Sequence, residues 1–196
     1  MTALNPLRVL LVDDGSPHLP MLRDELARIG CAVVGVLDRA VELAREVDGL
    51  QPDLIIISSD SPSRDTLEGI AVMSQSAPRP IVMFTQDPDK SRMQRAIRAG
   101  VSSYVVAGLA PERLQPVLDV ALARFEADAA LRAELESARG ELANRKQIER
   151  AKGILMAARG IDEEAAYKEM RKMAMDRGVR LIDIAQRLID AKSLLG

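Results

Sequence analysis

Aromatic side chains are nearly missing from this 196-residue chain: it has Phe84, Phe125, Tyr104 and Tyr167, and no Trp. Its cores must therefore be aliphatic, and readers that stack bases on a sheet of aromatics are disfavoured. Cysteine and histidine are as scarce. One cysteine, Cys31, excludes a disulfide within the chain, and Cys31 with His18 alone excludes the usual Cys/His metal set. His18 follows Pro17 and reads as a solvated residue at a helix start. Long apolar runs are lacking too. None approaches the roughly 20 residues needed to cross a bilayer. The first run stops at Asp13 and Asp14, so neither a leader nor a membrane partner is expected, and the chain reads as cytoplasmic. What is present is 47% hydrophobic and 29% charged residues, enough for one ordinary domain and a smaller one.

The net charge of −2 is unevenly spread. From Arg139 to Gly196 there are thirteen Lys/Arg against nine Asp/Glu, or +4; the remainder carries fourteen against twenty, or −6. The positive excess lies where a polyanion would be handled, although an ordinary charged helical surface gives the same count.

Five short apolar runs alternate with helical patterns. Arg8–Val12, Cys31–Val36, Asp53–Ile57, Pro80–Phe84 and Ser103–Val106 are bounded by turn residues, as buried parallel strands are. Helical spacing is predicted over Pro17–Ile29, Arg39–Val47, Asp65–Ser76 and Pro88–Ala99, with Ser58–Arg64 as a polar loop. This order implies a doubly wound parallel sheet, an α/β domain over residues 1–110. Its carboxyl edge should gather Asp13, Asp14, Ser58, Thr85 and Ala107.

Pro111 then starts a helix at its favoured first position. Leu118, Leu122, Phe125 and Ala129 form one stripe; Leu131, Leu135, Ala138 and Leu142 form a second, shifted in phase near Asp128. Residues 111–143 thus read as part of one long helix, a linker whose coiled-coil-like seam is interrupted once and pairs with a second copy as a homodimer. Residues 144–196 read as three helices: Asn144–Ala158, which continues the long helix, one capped by Asp162 and ending near Gly178, and Leu181–Leu194. Their expected core is Ile148, Ile154, Leu155, Ala166, Met170, Met173, Leu181, Ile184, Ala185 and Leu188, with Met156 and Met175 also read as inward.

The stretches L-L-V-D-D, P-D-L-I-I-I, V-M-F-T and A-G-V-S-S-Y-V-V resemble a response-regulator receiver, a flavodoxin-like fold. In that family the acid pair, here Asp13 and Asp14, helps hold Mg²⁺. An Asp ending the third strand accepts a phosphoryl group, and a Thr, here Thr85, and a Lys report it. The acceptor position falls on Ser58 and the Lys position on Ala107. A hydroxyl cannot form an acyl phosphate and gives Mg²⁺ no anionic ligand. The resemblance therefore implies a pseudo-receiver with a remnant of the acidic pocket, unless Asp60, two residues on, takes the acceptor's place.

The C-terminal segment R-K-Q-I-E-R-A-K-G-I-L-M, followed by E-E-A-A-Y-K-E-M-R-K-M-A and I-D-I-A, resembles the ANTAR domain. With S-P-S-R-D-T-L-E, R-P-I-V-M-F-T and R-L-Q-P-V-L-D-V-A-L-A-R-F-E, the whole chain is similar to nitrate-assimilation antiterminators of the NasT type. That resemblance implies a protein without cofactor that binds two-hairpin leader RNA, prevents termination, and is held by a nitrate-sensing partner protein. Hairpin loops are met through phosphates and splayed bases, for which Arg145, Lys146, Arg150, Lys152, Arg171, Lys172 and Arg180 are the candidate donors. Lys152, Arg145 and Arg171 match the family motif. Tyr167 either stacks on a base or enters the helical core, and Gly153 admits either another helix or RNA.

Three further readings remain open at this point, one of them a pure protein-interaction module, which the basic surplus disfavours only mildly. A phosphorylated regulator would use Asp60. A DNA-binding factor would need a basic recognition helix, whereas Leu181–Leu194 carries Asp183 and Asp190. No nucleophile–base set, phosphate-binding glycine loop or metal cluster suggests an enzyme.

Overall fold

The computed structural model describes residues 6–14, 19–106 and 111–194, with Val41, Asp14 and Leu194 as backbone. The expectations for His18 and Ala107 fall outside these residues. The chain divides into two units, residues 1–129 and 130–196.

In the first unit, β1 (Arg8–Asp14), β2 (Ala32–Leu37), β3 (Leu54–Ser59), β4 (Ile81–Thr85) and β5 (Ser103–Val106) form one parallel sheet in the order β2-β1-β3-β4-β5. Between them lie α1 (Leu19–Arg28), α2 (Leu43–Leu50), α3 (Arg64–Ser76) and α4 (Lys90–Ala99). Alternate residues of each strand face opposite ways, which builds two cores. Leu10, Val12, Ile55, Ile57, Ile81 and Met83 meet Leu43, Val47, Ile70, Met73 and Ala96 on one face. Val9, Leu11, Leu54, Ile56, Val82 and Phe84 meet Leu22, Leu26, Leu114, Leu118 and Ala121 on the other. Burial on both faces explains the unbroken apolar runs; each such aliphatic side chain contributes about 1.5–3 kcal/mol.

Helix starts follow local chemistry. Ser63 Oγ accepts the Thr66 N–H at 3.1 Å and opens α3. Asp89 Oδ1 accepts the Ser91 N–H at 2.8 Å, which moves the start of α4 two residues past the predicted Pro88. α4 closes on Gly100 at φ +117°, where an added Cβ would lie 2.7 Å from Ser74 Cβ. Gly100→Ala is therefore expected to destabilise the first unit by about 1–3 kcal/mol, read as a lower thermal midpoint.

One sequence expectation about the sheet needs correction. Ser58 stands in β3, not in a loop, because pairing with β1 continues through Asp13↔Ser58 and Asp14↔Ser59. The one long helix expected here is α5, which runs from Leu114 to Arg159, so the interruption lies in its seam and not in its backbone. Of its first stripe, Leu118 is buried against the sheet, Leu122 and Phe125 are half-buried and Ala129 is exposed, while Leu131, Leu135 and Leu142 of the second are exposed. The change of phase marks a change of surroundings rather than a break in the backbone.

In the second unit, α5 is followed by α6 (Glu163–Arg177) and α7 (Leu181–Leu194). Asp162 Oδ1 caps α6 by accepting the Ala165 N–H at 2.8 Å, and Gly178 closes it in the left-handed region at φ +61°. The core is Ala151, Leu155, Ala166, Met170, Ala174, Ile184 and Ala185, flanked by Ile148, Met156, Met173, Leu181 and Leu188. Ile154 lies outside this cluster and Met175 is 73% exposed, against expectation. Each is the sequence neighbour of a core residue, Leu155 or Ala174, and adjacent positions point about 100° apart on a helix. No helix among the described residues is long and apolar enough to cross a membrane.

Candidate nucleic-acid interface and receiver pocket

The carboxyl edge of the sheet, where β1 separates β2 from β3, is the switch point at which such folds place their sites. Register sets Asp13 beside Ser58 there. Ser58, Ser59 and Thr85 are buried. The Thr85 hydroxyl donates to the Asp60 carbonyl at 3.1 Å and accepts the Asp87 N–H at 3.1 Å. Asp60 is exposed and follows the last residue of β3, so the strand extension that would carry it into the acceptor's place is absent.

A network not foreseen from sequence ties the two neighbouring loops together. The Arg92 guanidinium reaches both the Ser61 hydroxyl and the Asp87 carboxylate. Ser61 Oγ also donates to Asp87 Oδ2 at 3.2 Å, and Tyr104 OH donates to the Asp87 carbonyl at 3.3 Å. The Asp89 N–H, at 2.9 Å from Oδ1, is the main cause that holds the Asp87 carboxyl below its ordinary range; Ser61 and Arg92 add to it against partial burial. D-P-D-K-S-R signals a turn and a cap, but nothing in its spacing reveals that Arg92 would cross to Ser61.

In the second unit the predicted donors stand differently from one another. Arg145, Lys146 and Arg150 are exposed on α5, Arg171 and Lys172 on α6. Among the described residues no ion pair holds any of these five. Arg180, by contrast, bonds Asp183 at 3.1 Å at the start of α7. Lys152, also a candidate donor, is placed differently from the exposed five. Its side chain is only 9% exposed, and its Nζ bonds Glu149 Oε1 at 2.8 Å and Glu163 Oε1 at 2.6 Å. The i,i+3 spacing to Glu149 was visible in the sequence; the tie to Glu163 across the α5–α6 turn was not. Tyr167 points outward, 43% exposed, and lines a 430 Å³ recess with Lys152, Glu163 and Glu164.

This bracket is pH-dependent. The glutamate bonds, that from Glu149 first, raise Lys152 above its ordinary value, and the Lys152 bond holds Glu163 below its own. The Glu163 share of stability is present above the unfolded carboxylate pKa of about 4.3 and is lost as pH falls through the lowered folded value. The Lys152 share is present below about 10.4 and is lost as pH rises through the raised one. Protection of the α6 first-turn amides from hydrogen exchange should therefore fall as the pH drops below about 4, and should fall less in Glu163→Gln.

Comparison with known proteins gives the same two parts. Residues 9–119 match the response regulator receiver domain and residues 136–189 the ANTAR domain. The transcriptional regulatory protein PdtaR of Mycobacterium tuberculosis is 29% identical over 185 residues, 94% of this chain and 90% of that protein. The nitrate regulatory protein of Klebsiella oxytoca is 44% identical over 64 residues, 33% of this chain and 16% of that protein. Among solved structures, the signal receiver domain of a modulated diguanylate cyclase from Desulfovibrio desulfuricans is 27% identical, with a TM-score of 0.54, covering 62% of this chain and 97% of that one. With a receiver match that spans more than half of its residues and an ANTAR domain behind it, the chain belongs to the response regulators that carry an ANTAR domain.

Proposed function

We propose that the chain is an RNA-binding transcription antiterminator acting on nascent leader RNA in the cytoplasm. The observation that carries this reading is the set of exposed cations that no ion pair holds among the described residues, Arg145, Lys146, Arg150, Arg171 and Lys172, on the helices of the ANTAR domain. Phosphates of hairpin stems and loops are the natural partners of such donors. Residues 1–110 serve as a pseudo-receiver, 111–143 as a linker that pairs two copies, and 144–196 as the RNA-binding domain. Two copies suit two adjacent hairpins. Ser58 at the acceptor position favours control by a partner sensor protein over control by phosphorylation. Similarity of 64 residues to a nitrate regulatory protein supports nitrate or nitrite assimilation genes as the target.

The test is binding of the full chain to a leader RNA with two adjacent hairpins, across a salt series, with duplex DNA as control. RNA-selective binding that acetyl phosphate leaves unchanged is expected. Arg171→Ala and Lys172→Ala should each weaken binding and reduce the slope of log affinity against log salt by about one. Preference for the DNA would overturn the reading. Phosphoryl transfer from acetyl phosphate that disappears in Asp60→Asn would move control back to the receiver.

A further inference from the structure

The helix α4 carries a charge opposite to that of the unit around it. Residues 1–129 hold thirteen Lys/Arg against eighteen Asp/Glu. Four of those cations, Lys90, Arg92, Arg95 and Arg98, and none of the acids lie within the ten residues of α4; the rest of the unit holds nine against eighteen, or −9. Successive residues turn about 100° on a helix, so the side opposite the buried Ala96 carries Lys90, Gln94, Arg95 and Arg98, and all four are exposed. Arg92 alone is turned aside, to Asp87 and Ser61, and with the Asp89 cap it fixes the first turn in place. Among the described residues no ion pair holds Lys90, Arg95 or Arg98.

The layout of this face decides what it fits. Protein interfaces are poor in charge at their centre and keep their polar groups at the rim. Here the order is reversed: Gln94 and Arg98 stand at the middle, and Ile97, the one large exposed apolar side chain of α4, stands toward the edge. Phosphates suit such a face, since a guanidinium fork takes a phosphate by two parallel N–H bonds. Lys90 to Arg98 spans about 12 Å of helix axis, over which one strand of a stacked nucleic acid carries about three to four charges. The −9 of the surrounding unit repels the same strand and confines it to α4. We propose that the exposed face of α4 is a second RNA-contact surface, which takes the phosphates of the leader strand beside the hairpins without regard to sequence. The inference rests on the RNA-binding reading above, in which the hairpins belong to the ANTAR domain, so the strand beside them is what remains for α4. It gives the sheet unit a part in RNA binding that needs no phosphoryl group.

The experiment compares the full chain with its Lys90→Ala, Arg95→Ala, Arg98→Ala triple variant on two RNAs, one with two adjacent hairpins and single-stranded flanks, the other trimmed to the hairpins. All three positions are exposed and alanine favours a helix, so thermal melting should not change. On the flanked RNA the slope of log affinity against log salt is expected to become shallower by about two, at about 0.7 for each of three lost phosphate contacts. On the trimmed RNA the variant should match the wild type. A slope on the flanked RNA that the triple variant leaves unchanged would overturn the proposal and give the face to an acidic protein instead. An equal loss on both RNAs would overturn the assignment to the flanking strand. Arg171→Ala keeps the two readings apart, because it should lower the slope on both RNAs. If it does so and the triple variant does not, only the part given to α4 falls, whereas a wild-type chain that binds neither RNA overturns both.

Discussion

Glutamates at Leu131 and Leu135 are expected to lower affinity for a two-hairpin leader RNA by two to four orders of magnitude, while affinity for a single hairpin changes less than twofold. Leu131, Leu135 and Leu142 are 64%, 49% and 55% exposed on the charged middle of α5, where the helix covers neither unit's core cluster. Three leucines at spacings of four and seven make a seam suited to an identical helix, and burying each would contribute about 1.5–3 kcal/mol. Two negative charges per chain in that seam would face their own copies in the dimer and cannot be buried unpaired. If two copies bind two hairpins, the second contact is intramolecular and raises overall affinity by about 10²–10⁴ without any new contact. Sedimentation should show wild-type dimer and variant monomer, since nothing else in the substitution touches the ANTAR core. A monomeric variant with undiminished affinity for the tandem RNA would show that the hairpins are held independently.

Legibility of the fold and of the site differed for physical reasons. A strand buried on both faces has no polar interruptions, so Leu54–Ile57 and Ile81–Phe84 announce themselves as runs. Strand ends are another matter. Ser58 and Ser59 look like loop residues, yet pairing with Asp13 and Asp14 extends β3 through both. Caps were visible where a short polar side chain precedes an amphipathic run, as with Asp162. On the helical unit, the error lay in treating all methionines alike. Met170 is spaced by four from Ala166 and Ala174 and is buried, whereas Met175 is one residue out of phase and is bare.

The site residues were the least legible. Composition identifies a lysine but not its neighbours across a turn, so the sequence offers Lys152 only as a candidate donor to RNA. In the fold it is a buried link between α5 and α6. Its removal is therefore expected to act through the position of Glu163 and the recess as much as through lost charge. Arg92 has the same lesson in the receiver unit. Its partners, Ser61 and Asp87, come from two loops that sequence spacing does not relate. The order of the strands brings those loops side by side, and that order is not written in the local spacing of either loop.

Met170→Asp is expected to abolish RNA binding by unfolding the helical unit while the sheet unit stays folded. Met170 is fully buried among Ala151, Leu155, Ala166, Ala174, Ile184 and Ala185. Several of these are alanines, so this one long side chain fills much of the core. Truncating a buried methionine costs about 2–5 kcal/mol, and a carboxylate with no partner adds its own desolvation. A core of this size rarely supplies more than about 3–5 kcal/mol, so the change removes the whole margin. The sheet unit draws on separate clusters built from Leu10, Ile55, Ile56 and their neighbours, and none of these includes a residue of α6 or α7. Circular dichroism in a urea series should then show the wild type's helical signal reduced at zero denaturant, with the remaining transition at an unchanged midpoint. If Met170→Asp loses α6 but still binds the leader RNA, the cations of α5 suffice, and Arg171 and Lys172 are not part of the interface.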